Sequence, residues 1–236
     1  MRAIATNRSI LHFLEHLEAS EAALAADPET AELAAPFAES IQDFEGVFRK
    51  ERAARRDVVR SQAVLNVSDA GLDIDTTAFG GIAFVEAGQD RRSPEFRQYF
   101  PVAPSQLIRW NLRKQCEHTV LVLVPALSKV AKTSALKPFG AKLKSRAEAV
   151  LDAMDKRAKA KAALSHVGLE VEEWKEGVNR LRLSTYAELL KIAAEKKYPK
   201  SYAEAFFMAE SRADTATSDE SAEPSTPAAP TGAPTA

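Results

Sequence analysis

The sequence contains one cysteine, Cys116, in 236 residues. A single thiol has no partner for an intrachain disulfide, so the sequence excludes a disulfide-stabilised secreted fold and favours a cytoplasmic location. Glycine is scarce at 9 residues and aromatic side chains make up 7% of the chain, whereas there are 43 alanines. This balance excludes a collagen-like chain and favours helical structure.

Long hydrophobic runs are also missing. The longest is the eight-residue stretch from Val120 to Leu127, which includes a proline. A helix that crosses a bilayer needs about 20 apolar residues. Near the N-terminus, polar side chains interrupt the apolar residues at His12, Glu15, His16 and Glu18. We therefore expect no transmembrane helix, no export signal and no membrane partner.

Elsewhere, apolar residues recur every three or four positions, which is the spacing of amphipathic helices. The pattern predicts four main helices and a short fifth one, over residues 4–26, 33–82, 104–127, 139–192 and 202–207. The intervening residues 88–104 contain three prolines, so we predict a connection there.

The β-branched segment of residues 119–124 is open to two interpretations. Its composition suits a short strand as well as a helix. No second strand pattern is present to pair with it, so we favour a helix that is kinked near Pro125.

From residue 210 onward, Ala, Pro, Ser and Thr dominate and the charge is acidic. This composition predicts a disordered tail over residues 210–236, after one helical domain over residues 1–209. Helices joined by short turns predict an all-α fold, an elongated up-and-down four-helix bundle in which helices two and four are long. Such long helices expose apolar seams unless equally long partners cover them, so we expect self-association or a protein partner.

The formal net charge of -1 conceals an uneven distribution. Residues 1–45 hold 2 cationic and 9 acidic side chains, a net charge of -7, whereas residues 46–161 hold 22 and 12, a net charge of +10. Residues 162–208 are balanced at 7 and 7, and residues 209–236 hold 1 and 5, a net charge of -4. The positive charge in the middle of the chain offers a candidate surface for an anionic partner.

Two basic runs supply much of this positive charge. The first, on helix two, contains Arg49, Arg52, Arg55, Arg56 and Arg60. The second, on helix four, contains Lys142, Lys144, Arg146, Lys156, Arg157 and Lys159. If the two helices are neighbours, both runs lie on one basic flank that neutralises the phosphates of a nucleic acid or another polyanion. The alternative is a solvated helix surface whose charges are matched by the acidic first helix and tail.

A third group of cations lies in the predicted connection. Arg91, Arg92 and Arg97 precede Tyr99 there, a mixture that suits stacking on bases or on a partner protein. The alternative is that the aromatic residues hold the connection against the end of the bundle.

The segment His12-Phe13-Leu14-Glu15-His16 matches the H-x-x-E-H spacing of inverted zinc proteases. On a helix the two histidines share a face, and Glu15 can polarise a metal-bound water. The match covers only five residues, so we interpret it as coincidence. The sequence also has neither a Glu-x-x-His pair for a di-iron bundle nor a glycine-rich phosphate loop.

These observations predict a non-enzymatic protein that acts in protein–protein interaction or assembly. We expect no metal, no cofactor and no small-molecule substrate. The alternative function is the binding of nucleic acid or another polyanion through the basic flank.

Overall fold

The computed structural model describes residues 3–209, so the predicted tail over residues 210–236 lies outside the described residues. Every regular element within residues 3–209 is a helix, which confirms the predicted all-α class. The chain divides into two compact units. Within the described residues, the first unit comprises residues 3–41 and 177–209, and the second unit comprises Gln42–Glu176.

The elements follow one another as short and long helices. The α-helices are α1 (Ile10–Ala26), α2 (Ala35–Glu86), α3 (Pro94–Arg97), α4 (Pro104–Leu107), α5 (Leu112–His118), α6 (Val124–Ser128), α7 (Lys137–Lys196) and α8 (Ser201–Glu204). A 3-10 helix (Ala31–Ala34) precedes α2, and a π-helical turn (Thr119–Leu123) joins α5 to α6. Both long helices, α2 and α7, carry a proline in the first turn, where the missing N–H costs no hydrogen bond.

Helix α1 begins later than the predicted residue 4. Its first residue is Ile10, because the Ser9 hydroxyl accepts the backbone N–H of His12 at 3.1 Å and caps the helix there. The apolar periodicity alone does not mark such a boundary, since Ile4 is buried without being helical.

Among the side-chain hydrogen bonds that connect the parts of the first unit, three involve Asn179 and Tyr202. The Asn179 amide on α7 exchanges two of them, each 2.9 Å long, with the backbone of Ile4. The Tyr202 hydroxyl on α8 donates the third to Asp27 at 2.8 Å. The buried apolar residues of the first unit include Phe13, Leu17, Leu24, Phe37, Val178 and Leu189.

The core of the second unit lies between α2, α7 and the segment that joins them. Phe79 of α2 packs on Tyr99 and Phe100 of that segment, with ring centroids 5.3 and 5.2 Å away. Further buried members of the same cluster are Leu65, Leu72, Leu107, Leu123, Leu127, Leu143 and Val150. The joining segment therefore covers only the half of α2 that follows Leu65.

The predicted third helix, over residues 104–127, is interrupted in the structure. Helix α4 ends at Leu107, and α5 starts at Leu112 after an Asn111 cap, whose side chain accepts the N–H of Arg113 at 3.1 Å. Residues 119–124 are helical rather than extended: Thr119–Leu123 form the π-helical turn, and Val124 begins α6, in which Pro125 is the second residue. Proline lacks an N–H and crowds the carbonyl four residues earlier, so the wider turn accommodates it.

The long helices end in left-handed turns. After α2, Gly88 and Gln89 have φ angles of 67° and 63°, and Gln89 N–H donates to the Phe84 carbonyl at 2.9 Å. After α7, Lys197 has a φ angle of 60°. Turns of this kind give hydrogen-bond partners to the last helical carbonyls and stop the helix.

Candidate functional site

Helices α2 and α7 run antiparallel within the second unit. Asp75, late in α2, binds Lys142 and Arg146 near the start of α7 at 2.6 and 2.9 Å. Lys50, early in α2, binds Glu170, much later in α7, at 2.7 Å. The order of these contacts along α7 is the reverse of their order along α2, so the two helices are antiparallel and each has one side that faces the other.

The buried seam of α2 follows a seven-residue repeat. Leu65, Leu72 and Phe79 are buried at this interval, and Val58, one repeat earlier, is half-buried. The repeat is typical of paired helices, and it determines which residues face away from α7. Two residues along a helix turn by about 200°, so Arg56 lies on the side of α2 opposite Val58.

The first basic run forms a line on this outward side of α2. Four of its members follow at spacings of three or four residues and are exposed: Arg49, Arg52, Arg56 and Arg60. None of these four guanidinium groups has an ion-pair partner among residues 3–209. Arg55 lies off the line and binds Glu51, one turn earlier, at 2.7 Å.

The second basic run, on α7, is largely paired with carboxylates. Lys142 and Arg146 bind Asp75 of α2, as described above. Lys144 and Lys156 each bind a carboxylate one turn away on α7, at 3.8 and 2.6 Å. Of the remaining two residues, Arg157 is half-buried and Lys159 is exposed.

The antiparallel order also determines how the two basic runs are placed. Since Glu170 lies beside Lys50, and Lys142 lies beside Asp75, the runs follow one another along the helix pair. They meet near Arg60 rather than lying side by side. Within these two runs, the exposed cations that have no ion-pair partner among residues 3–209 are four arginines on α2 and Lys159 on α7.

The connection carries exposed cations, but its predicted aromatic member is buried. Arg92 and Arg97 are exposed, and the Arg91 guanidinium lies 5.3 Å from the ring centroid of Phe84. Tyr99 is only 4% exposed and meets Phe79 edge-on. Placing Tyr99 on a stacking surface was wrong, because its ring fills the core of the second unit.

The H-x-x-E-H segment lies on α1 with its two histidines in different environments. His16 is 1% exposed, and its ring centroid is 4.7 Å from that of the half-buried His12. His12 Nδ1 lies 3.9 Å from a Glu15 carboxylate oxygen. Among residues 3–209, no three His, Cys, Asp or Glu side chains are grouped so as to hold a metal ion.

An open cleft of about 370 Å³ lies between α2 and α7 in the second unit. It is lined by Asp43, Gly46, Val47, Lys50, Glu170, Glu173 and Trp174. The ion pair between Lys50 and Glu170 borders it, and the cation lowers the pKa of the Glu170 carboxyl. The lining has no thiol, hydroxyl or imidazole, and its ionisable side chains are one lysine and three carboxylates.

The Cys116 thiol is buried in the core of the second unit. Burial raises the pKa of this thiol to about 11, and the negative charge of Asp69 acts in the same direction. A thiol of this kind stays protonated at neutral pH and packs as a small apolar side chain.

An exposed apolar line on α2 escaped the sequence interpretation. It continues the arginine line in steps of four and three residues, through Ala63, Val67, Ala70, Ile74, Thr77 and Gly81, all exposed. Val67 is 75% exposed and Ile74 is 67% exposed. The sequence contains this line as a second seven-residue repeat, with Val67 and Ile74 each two positions after Leu65 and Leu72. The repeat of Leu65 and Leu72 is more strongly apolar and therefore dominates the pattern.

We name these ten residues the outer stripe of α2. Its cationic half consists of Arg49, Arg52, Arg56 and Arg60, and its apolar half of Ala63, Val67, Ala70, Ile74, Thr77 and Gly81. The two halves share one helix face and one spacing, so a single elongated ligand can contact both.

No family model, curated protein or solved structure shows significant similarity to this chain. None of the helices within residues 3–209 combines the length and the apolar content that crossing a bilayer requires.

Proposed function

We propose that the chain is a non-enzymatic protein that acts in protein–protein interaction or assembly, with the outer stripe of α2 as its contact surface. The observation that supports this proposal is the exposure of Val67 and Ile74, at 75% and 67%, in line with small residues on a regular helix. Removing apolar surface from water contributes about 25 cal/mol per Å², so a partner that covers this line gains binding energy from it.

Further features fit a binding protein better than an enzyme. The side chains that line the cleft include no thiol, hydroxyl or imidazole, and the buried Cys116 thiol is protonated at neutral pH. The up-and-down four-helix arrangement and the cytoplasmic location belong to the same proposal. They are supported by the two long helices and by the single cysteine, respectively.

Site-specific photo-crosslinking in the cells that produce the chain tests this proposal. We expect a photoreactive amino acid at position 67 or 74 to yield covalent protein adducts of defined mass. Position 169 is the matched control, since Leu169 is 65% exposed on α7 and lies off the stripe. If positions 67 and 74 give no more adducts than position 169, the outer stripe is not an interaction surface.

A second candidate, the binding of nucleic acid or another polyanion, is favoured by the four arginines without ion-pair partners among residues 3–209. Phosphates that replace counterions on such a line give an affinity that falls steeply with salt. Salt-dependent retention of the chain on heparin supports this candidate if Arg56→Glu weakens the retention and Ile74→Glu does not. Absence of retention at low salt rejects it.

A further inference from the structure

We infer that the occupant of the outer stripe is an amphipathic helix of another protein, with an apolar seam along one half and carboxylates along the other. This inference rests on the proposed function and names the chemistry of the partner. It depends on the spacing, the size and the charge of the stripe residues.

The spacing identifies the partner as a helix. Successive stripe residues are three or four positions apart, and this is the spacing with which one helix packs along another. From Arg49 to Gly81 the stripe extends about 50 Å at 1.5 Å per residue, too long for a compact pocket ligand.

The size of the side chains favours a closely packed helix. Ala63, Ala70 and Gly81 project little from the backbone, and the space beside the Gly81 Cα is open. Val67 and Ile74 stand between them as larger, exposed side chains. A partner seam with leucine or alanine fits against this alternation of small and large residues.

The charge of the stripe decides what the other half of the partner carries. Four arginines without carboxylate partners among residues 3–209 lie along about three turns of α2. Carboxylates at helical spacing pair with them through charge-assisted hydrogen bonds. The partner helix therefore carries Asp or Glu where it lies against the cationic half.

A second copy of this chain does not satisfy the stripe. In a parallel pairing Arg49 and Arg56 meet the same residues of the other copy, which is repulsive. In an antiparallel pairing about the middle of the stripe Arg56 and Arg60 lie against Ile74 and Ala70, which desolvates their charge without a partner. Charge complementarity therefore favours a different, acidic helix over a second copy of this chain.

The apolar half also separates this partner from a polyanion. Phosphates contact only the cationic half and leave Val67 and Ile74 in water. A helix with an acidic half and an apolar half covers both parts of the stripe. The contribution of Ile74 to binding therefore distinguishes the two ligands.

Binding of synthetic 32-residue helical peptides to the full chain tests the inference. Each peptide of the first pair has leucine and alanine at the seam positions of one half and glutamate along the other half. In one peptide the glutamate half comes first and in the other it comes last, so that both a parallel and an antiparallel orientation on α2 are tested. In the control pair, lysine replaces every glutamate. We expect one acidic peptide to bind at least about tenfold more tightly than its lysine counterpart in fluorescence anisotropy.

Variants of the full chain locate the binding. Ile74→Glu is expected to weaken the acidic peptide about tenfold or more, whereas Leu169→Glu leaves its affinity unchanged. Arg56→Glu is expected to weaken the acidic peptide and to strengthen the lysine peptide, whereas Arg97→Glu, an exposed arginine off the stripe, changes neither. Circular dichroism of each variant confirms that it remains helical.

The inference is overturned if glutamate and lysine peptides bind equally, or if Ile74→Glu has no more effect than Leu169→Glu. It is also overturned if the full chain binds only heparin or only anionic phosphatidylserine vesicles. When photo-crosslinking at position 67 or 74 still captures a protein in these cases, the proposed function stands and only the partner chemistry is wrong. When crosslinking also fails, both are wrong.

Discussion

At the scale of single residues, Asp75 shows how burial and charge combine in the second unit. Its carboxylate is buried and accepts hydrogen bonds from Lys142 and Arg146 at 2.6 and 2.9 Å. Burial raises the pKa of this carboxyl, but the hydrogen bonds and charges of the two cations lower it by more. The pKa of Asp75 is therefore below its ordinary value.

We expect Asp75→Asn to reduce the free energy of unfolding by about 1–2 kcal/mol at pH 7. The loss is moderate because both cations are about half-exposed and water screens them after the substitution. Urea unfolding measures it. Asp152→Asn is the control, since Asp152 pairs with Lys156 on the surface and its loss has little effect.

The contribution of Asp75 also depends on pH. Because its pKa is lower in the folded than in the unfolded chain, the stabilisation is complete above the unfolded value of about 3.9. It disappears as the pH falls through the folded-state pKa. The difference between wild type and Asp75→Asn should therefore shrink below about pH 4. A difference that is the same at pH 7 and pH 3 contradicts the assignment.

At the scale of elements, the adjacent glycines of α2 have opposite surroundings. A Cβ added at Gly80 meets Pro104 Cγ at 2.5 Å and the Phe100 ring at 3.4 Å. A Cβ added at Gly81 meets nothing within 4 Å. Gly80 thus allows Phe100 and Pro104 of the connection to approach α2 closely, whereas Gly81 only lowers the stability of the helix.

We expect Gly81→Ala to stabilise the protein by about 0.5–1 kcal/mol, since alanine favours the helix and fits in open space. Gly80→Ala should instead destabilise it by about 1–3 kcal/mol, because the proline ring is rigid and the core has no room to yield. Thermal unfolding of the two variants measures both values. Equal changes would show that helix propensity, not packing against Pro104, decides the effect.

At the scale of the whole molecule, the described chain is unevenly stabilised along the second unit. The seam of α2 is buried and apolar at Leu65, Leu72 and Phe79. One and two repeats before Leu65 the seam positions are Val58 and Glu51, both half-buried. On α7, Lys175 is buried. Desolvation lowers the pKa of its ammonium group, and the opposing charges of Glu51 and Glu172 only partly offset this effect.

We therefore expect hydrogen exchange to be about tenfold or more faster in residues 50–61 of α2 than in residues 65–83. The first range lacks the cover that the segment from Phe96 to Leu127 gives to the second. Exchange followed by mass spectrometry on peptic peptides resolves the two ranges. Equal protection would show that the two-helix region is as stable as the covered core.

Much of the helical structure was predictable, because helix formation depends on neighbouring residues. The periodicity of α2 and α7 predicted both helices to within a few residues of their ends. The third predicted helix was wrong in its continuity, since its break near Asn111 depends on a local cap. The start of α1 was wrong for the same reason, because the Ser9 cap outweighs the apolar pattern.

The candidate site was only partly predictable. The sequence identified all four arginines of the cationic half but could not show that they lack carboxylate partners. It included Lys142 and Arg146 in the same flank, whereas Asp75, 71 residues before Arg146, neutralises them. It also offered Tyr99 as a surface residue, although Phe79 covers its ring.

The sequence by itself determined the all-α class, the two long helices and the basic character of the middle of the chain, since propensity, periodicity and charge are local or additive. Only the tertiary structure decided which cations are exposed without a partner and which apolar line is left uncovered. Those properties depend on residues far apart in the chain, such as Asp75 and Arg146. Burial and ion pairing arise only when such residues are brought within a few ångströms of each other.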